Sequence, residues 1–302
     1  MSLDDFYQSI LKRLQEQHVS CAITGGLACV QFGVAEHTED CDLICAPEGA
    51  HQLLDILELA RFGDTHAVYR GNLSAPLDPR WLQGGWTSHF TWETHAPIQP
   101  YLDVFGVPPR MSSPWLKEIQ GFWAGPHTVA EMKRTNRRKD WDQATALGLR
   151  MLRSGDERGW LHIFDADALL SLSETMPIQT ALLAQRPVLR LAAERSPRLA
   201  RAIQTEVDFW THLNRLRLKI YENAARPYAA AVRDSPGASH KNLSEQHALR
   251  LAHAEKLLPT SPLHDYGVDR LIHEAQIETG QDLNPELLQH LPDARLCLRC
   301  LC

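Results

Sequence analysis

No stretch of this 302-residue chain approaches the roughly 18 consecutive apolar residues that a membrane-spanning helix needs, so no membrane span is expected. The opening Met1-Ser-Leu-Asp-Asp5 has neither the basic n-region nor the apolar core of a secretory signal, and the chain reads as cytoplasmic. Positive charge is not in excess. The 31 Lys and Arg against 37 Asp and Glu leave a net charge of −6, which argues against a wholly basic nucleic-acid coat and leaves room for a local basic face. A disulfide framework is not expected either. The seven cysteines are odd in number, and Cys21, Cys29, Cys41 and Cys45 fall in apolar segments, as buried free thiols of a reducing compartment do. The tail has one CxxC, Cys297 to Cys300, followed by Cys302. A structural zinc site needs four ligands and no second pair is visible, so incidental thiols are the plainer reading. Internal repeats and low-complexity segments are also missing.

What remains is an ordinary globular composition, 44% hydrophobic and 23% charged, in a chain long enough for two cores. Leu3, Phe6, Tyr7, Ile10, Leu11 and Leu14 recur at helical spacing, which predicts a first helix ending near Gln17. Strands are expected at 19–24, 40–45, 66–70, 87–93 and 101–105, and a helix at 49–61. The stretch 72–85, with two prolines and two glycines, reads as a loop or insertion. Thr128-Val-Ala-Glu131 fits a capping box opening a helix that runs to about 152. After Ser154-Gly155-Asp156 everything reads helical, with prolines at 177, 187, 197, 227, 236, 259 and 285 dividing it into segments. The expectation is an α+β protein: a mixed sheet covered by helices over residues 1–150, then an all-helical domain over 151–302.

The chemistry concentrates early. Thr24-Gly25-Gly26 ends the first strand in a double-glycine turn, and Asp40-Cys41-Asp42 opens the second. Strand side chains alternate faces, so Asp40 and Asp42 point the same way with Cα atoms about 6.6 Å apart. Two carboxylates at that spacing suit one hard divalent cation whose other positions are filled by phosphate. Two acids on a strand can equally be a solvated face. Asp103 is harder to dismiss, because it interrupts the apolar Tyr101-Leu-Asp-Val-Phe105 and needs a partner. A metal shared with Asp40 and Asp42 would supply one. Lys133 reads as a phosphate contact or as a solvent-facing lysine, and Arg137, Arg138 and Lys139 as a surface cluster paired with Asp140 and Asp142.

With these residues the segment 15–150 resembles the nucleotidyltransferase superfamily, the fold of DNA polymerase β and the aminoglycoside nucleotidyltransferases. The resemblance rests on Gly25-Gly26, on Asp40-x-Asp42 preceded by Thr38, and on Asp103. The Lys133 to Asp142 segment is similar to that of bacterial members including the abortive-infection (AbiEii-type) toxins. Two features depart from the pattern: Glu36 and His37 stand where many members carry Arg, and the span from Asp42 to Asp103 is long, with Trp81, Trp86 and Trp92 in a conceivable insertion or lid. The resemblance implies Mg²⁺ or Mn²⁺ held by Asp40, Asp42 and Asp103, with Asp103 also deprotonating an acceptor hydroxyl directly or through the metal. It implies triphosphate contacts from Gly25, Gly26, Thr24 or Thr38, and Lys133. The implied reaction moves a nucleoside monophosphate from a nucleoside triphosphate to RNA, protein or a small molecule, in a cytoplasmic, toxin-like setting. The alternative is a nucleotide- or partner-binding module on the same fold without turnover. The helical half offers no chemistry of its own. Arg190, Arg195, Arg198, Arg201, Arg215, Arg217 and Lys219 read as a solvated face more readily than as an RNA-binding one.

Overall fold

The computed structural model describes residues 2–38, 40–93, 99–110, 114–235, 242–282 and 285–298. The amphipathic start forms α1 (Leu3–Glu16), where Ser2 and Asp5 cap each other's backbone. There follow β1 (Cys21–Thr24), α2 (Gly25–Gln31), β2 (Asp40–Cys45), α3 (Ala50–Leu59), β3 (Arg61–Phe62), β4 (Thr65–Tyr69), α4 (Pro79–Gln83), β5 (Thr87–Trp92) and β6 (Tyr101–Phe105). The strands make one mixed sheet in the order β1-β2-β6-β5-β4-β3. Among these pairings β2–β6 is parallel and the rest are antiparallel. A parallel pair needs a long crossover, and everything from α3 to β5 supplies it.

The period-2 alternation of the strands sorts their residues cleanly. Cys41, Leu43, Leu102, Val104, Phe90 and Trp92 form one face and pack with residues of α1 and α3 such as Phe6, Leu14, Leu53 and Leu57. The opposite face carries Asp40, Asp42, Asp103 and His89. Part of it, Ala22 and Ile44, is covered by Ala28 and Cys29 of α2 and by Val129 and Ala130 of α5 (Pro126–Met132).

The expected single helix from Thr128 is two helices. Pro126, pre-set for the first helical position, opens α5 after Gly125, and Thr128 lies inside that helix with its hydroxyl buried and unpartnered instead of capping. The chain breaks at Lys133, and α6 (Arg138–Arg153) starts afresh. The break is stabilised by Thr135, whose hydroxyl accepts from the Arg137 N–H at 3.1 Å and donates to Asp140.

The remainder is helical as expected: α7 (Ala166–Thr175), α8 (Thr180–Gln185), α9 (Val188–Ala193), α10 (Leu199–Arg233), α11 (Leu243–Leu257), α12 (Pro262–Tyr266), α13 (Val268–Asp282) and α14 (Arg295–Leu298). Pro227 does not punctuate. It sits inside the 35-residue α10, where Tyr221, Ala225, Tyr228 and Val232 are buried on the flanking turns and packing outweighs the lost hydrogen bond. The stretch 72–85 is not plain loop either, since Asp78 caps α4 within it. Trp81 and Trp86 donate their indole N–H groups to the carbonyls of Leu258 and Pro259, at 3.2 and 2.9 Å. They share a core with Trp210 and Tyr228 of α10. The segment is therefore a strut pinned to the helical half, whereas Trp92 belongs to the sheet core. Cys21, Cys29, Cys41, Cys45 and Cys297 are free and buried. Cys300 and Cys302 lie outside the described residues.

Candidate active site

Strand register builds the site. Thr24 stands opposite Asp42, Asp42 opposite Asp103, and Asp103 opposite His89, so one row crosses β1, β2, β6 and β5. Residues paired in register share a face, and adjacent strands lie about 4.8 Å apart. Asp40, two residues before Asp42, joins them on that face and is exposed, while Asp42 is half-buried. The three acids expected from the sequence do share one surface.

Their environments differ. Burial pushes the Asp42 carboxyl up, the nearby Asp103 and Asp40 charges push the same way, and Lys133 and Arg137 offset only part of it, leaving a pKa of about 6. Among the described residues no hydrogen bond or ion pair reaches the Asp40 or Asp42 side chains. Asp103 is the reverse case. Burial pushes it up, but His89 Nδ1 at 2.7 Å and Arg70 Nη2 at 2.6 Å, both on Oδ1, hold it below the usual carboxylate range. The partner that an acid in an apolar strand requires is thus in the protein already. Among the described residues no three His, Cys, Asp or Glu form a ready-made metal cluster.

The double glycine is shaped by the acids. Gly25 has φ +63°, and a Cβ there would fall 1.7 Å from Asp42 Oδ2. A Cβ on Gly26 would fall 2.4 Å from Thr38 Oγ1. Only glycine lets the turn press this closely on the Asp42 carboxylate and the Thr38 side chain. Thr24 is buried, and its hydroxyl lies 3.2 Å from Met132 Sδ, so it packs inward beneath the turn.

Lys133, Arg137, Arg110 and Arg217 converge with Gly25, Asp42, Phe105 and Asn214 on a cleft of about 230 Å³, and Asp42 is the member of the acid trio that lines it. Lys133 is not a solvent-facing lysine. Its side chain is 7% exposed, and Nζ donates to Asp140 Oδ1 at 3.2 Å. Asp140 is fully buried. Burial pushes its carboxyl up, but Lys133, Thr135 and Arg137 outweigh that and hold it below the usual range. Asp140 therefore anchors two cations that share the cleft with Asp42.

No protein-family model, curated protein or solved structure matches this chain.

The functional reading rests on the residues themselves, and several of these gave no local signal in the sequence. Arg70 and His89 reach Asp103 only through strand pairing. Arg217, read as part of a solvated basic face, is the member of that stretch that turns into the cleft, while Arg190, Arg195, Arg198, Arg201, Arg215 and Lys219 are exposed. A second cleft of about 290 Å³ adjoins the first, sharing Phe105, Pro109, Arg217 and Leu218. Trp86, Tyr221 and Leu73 give it apolar walls, and His89 stands at its edge.

Proposed function

We propose that the chain is a metal-dependent nucleotidyltransferase that moves a nucleoside monophosphate from a nucleoside triphosphate to an acceptor hydroxyl. The observation that carries this reading is the register pairing of Asp42 with Asp103 on one sheet face, with Asp40 on the same face and Asp42 lining a cation-rich cleft. The donor set fits a hard divalent cation, because Asp40 and Asp42 repel one another, have no side-chain partner among the described residues, and offer oxygen ligands only. Asp40, Asp42 and Asp103 would hold Mg²⁺ or Mn²⁺, with Asp103 available through Oδ2. The metal would supply charge neutralisation on the triphosphate and a more acidic acceptor hydroxyl.

The chain's own residues do the remaining work. The Gly25-Gly26 turn brings backbone close to phosphate oxygens beside Asp42, with the Thr38 hydroxyl against it. Lys133 and Arg137, fixed by Asp140, face the negative charge that builds on the leaving pyrophosphate as the acceptor oxygen attacks the α-phosphorus. Asp103, held ionised by Arg70 and His89, accepts the hydroxyl proton only weakly, and orienting the metal and acceptor is its larger share. The aromatic cleft at Trp86, Phe105 and Tyr221 offers room for the nucleoside or the acceptor. We read the fold itself as the nucleotidyltransferase arrangement, with a helical domain closing the cleft.

The test is transfer. The purified protein is incubated with each α-labelled nucleoside triphosphate, Mg²⁺ or Mn²⁺ and a cell extract, with Asp42→Asn in parallel. RNA, protein and small-molecule fractions are then separated. Label in one fraction, lost in the variant, supports the proposal and names the acceptor class. Metal-dependent triphosphate binding without transfer favours a non-catalytic binding module. Absence of both sinks the reading.

A further inference from the structure

Two arginines of the cleft have no acid paired with them among the described residues. Arg110 is 6% exposed. Its Nη1 donates to Asn214 Oδ1 and its Nη2 to the Met132 carbonyl, each at 2.6 Å, and its buried Nε has no partner. Arg217 lies three residues after Asn214 on α10. Its Nη2 donates to the same Asn214 oxygen at 3.4 Å, and its Nε is likewise buried and unpartnered. Among the described residues neither guanidinium has a salt bridge, and Asn214 holds the two side by side. The acid that acts on Arg110 is Asp140, already occupied by Lys133 and Arg137. Burial and the neighbouring Arg217 push Arg110 down to about 9, which leaves it charged at neutral pH.

Two desolvated like charges held together on neutral oxygens are an unfavourable arrangement until an anion completes it. A guanidinium fork matches the paired oxygens of phosphate, and both arginines line the cleft with N–H groups to spare beyond their bonds to Asn214 and the Met132 carbonyl. Four cations around one small space suit a multiply charged anion better than a single one. We propose that Arg110 and Arg217 form a polyphosphate-binding site on the cleft wall across from Asp42. The ligand is the phosphate tail of a nucleoside triphosphate or free pyrophosphate. Its assignment to the leaving group rests on the transferase reading; the binding of polyphosphate does not.

The test is calorimetric titration of the full chain with pyrophosphate, sulfate and each nucleoside triphosphate in metal-free, chelator-containing buffer. Wild type, Arg217→Gln, Arg217→Lys and Asp42→Asn are compared, each checked for an intact melting transition. Wild type should bind pyrophosphate, Arg217→Gln should weaken it at least tenfold, and Arg217→Lys should fall between. Asp42→Asn should bind as tightly as wild type or tighter, since a facing negative charge is gone. A triphosphate tighter than pyrophosphate identifies the nucleotide tail as the ligand, and the reverse order identifies free pyrophosphate. Wild type without pyrophosphate affinity, sulfate bound as tightly as pyrophosphate, or an unchanged Arg217→Gln would each overturn the site. Arg217-dependent pyrophosphate binding in a protein that transfers no nucleotide keeps this site and removes the transferase reading. Transfer with unchanged Arg217→Gln affinity does the opposite.

Discussion

Gly25 and Asp42 occupy the same corner so tightly that a methyl group on the glycine would lie 1.7 Å from Asp42 Oδ2. A turn and a carboxylate from adjacent antiparallel strands have been fitted to one another, and the backbone is in the left-handed region to allow it.

Gly25→Ala should therefore displace Asp42. The positive φ alone costs about 1 kcal/mol, and the clash adds to it. Transfer activity should fall at least a hundredfold. Gly33→Ala is the control, since Gly33 has φ +68° but open space around its Cβ position. It should lower stability by about 1 kcal/mol and leave activity intact. Equal activity loss in both variants would mean that the close approach at Gly25 is irrelevant.

Asp42→Asn should stabilise the protein while abolishing transfer. The carboxyl titrates near 6 in the folded chain against an ordinary value of 3.8, so the folded state holds this proton more tightly. Stability from this group is full at low pH and declines as pH rises from about 4 to 6. Above that interval the charged Asp42 costs up to about 3 kcal/mol, at about 1.4 kcal/mol per unit. Thermal melts at pH 7 should show the variant several degrees higher, with the difference gone at pH 4.

A buried imidazole pair gives the opposite slope. His127 Nδ1 and His162 Nε2 are 2.7 Å apart, and burial pushes both below 6.5, with Glu131, Arg134 and Arg158 around them. The folded state keeps them neutral, so their contribution is present above 6.5 and lost as pH falls through it, because the unfolded chain gains protons first. In an Asp42→Asn background, urea midpoints should drop between pH 7.5 and 5.5, and His162→Gln should flatten that drop. A flat profile in the parent would contradict a neutral pair.

Trp81→Ala should cost about 3–5 kcal/mol, the usual range for emptying a core aromatic site. It also removes the bond from the indole to the Leu258 carbonyl. If 72–85 were a free lid, the variant would alter activity and leave the urea midpoint unchanged.

The sheet face of the site was largely legible in the sequence, because period-2 alternation is local: Asp40 and Asp42 share a side whatever their partners are. Asp103 was legible as an anomaly, an acid amid apolar neighbours, but its partners were not. Arg70 and His89 meet it through pairings set by register across three strands, which no local pattern encodes. Lys133 could be read two ways because one helix was expected from Thr128 onward; the break at 133 and the fully buried Asp140 turn it inward. Arg217 was hidden for a similar reason. Charge counts along α10 give a basic stretch, whereas the side facing the cleft depends on how that helix is tied through Tyr221 and Tyr228 to Ser74, Gly84 and Trp86. The passage of α10 through Pro227 shows the same limit, since a proline's cost is local and the packing that outweighs it is not.

The parallel pairing of β2 with β6 also sets when the site comes into being. Asp42 leaves the ribosome early, yet its neighbour Asp103 follows only after α3, β3, β4, α4 and β5, and Arg217 much later still. Contacts so distant along the chain must wait for loop closure, so a nascent or truncated chain ending before α10 would hold Asp42 and Asp103 without Arg217. The Arg217 side of the cleft would be the last part of it to be synthesised.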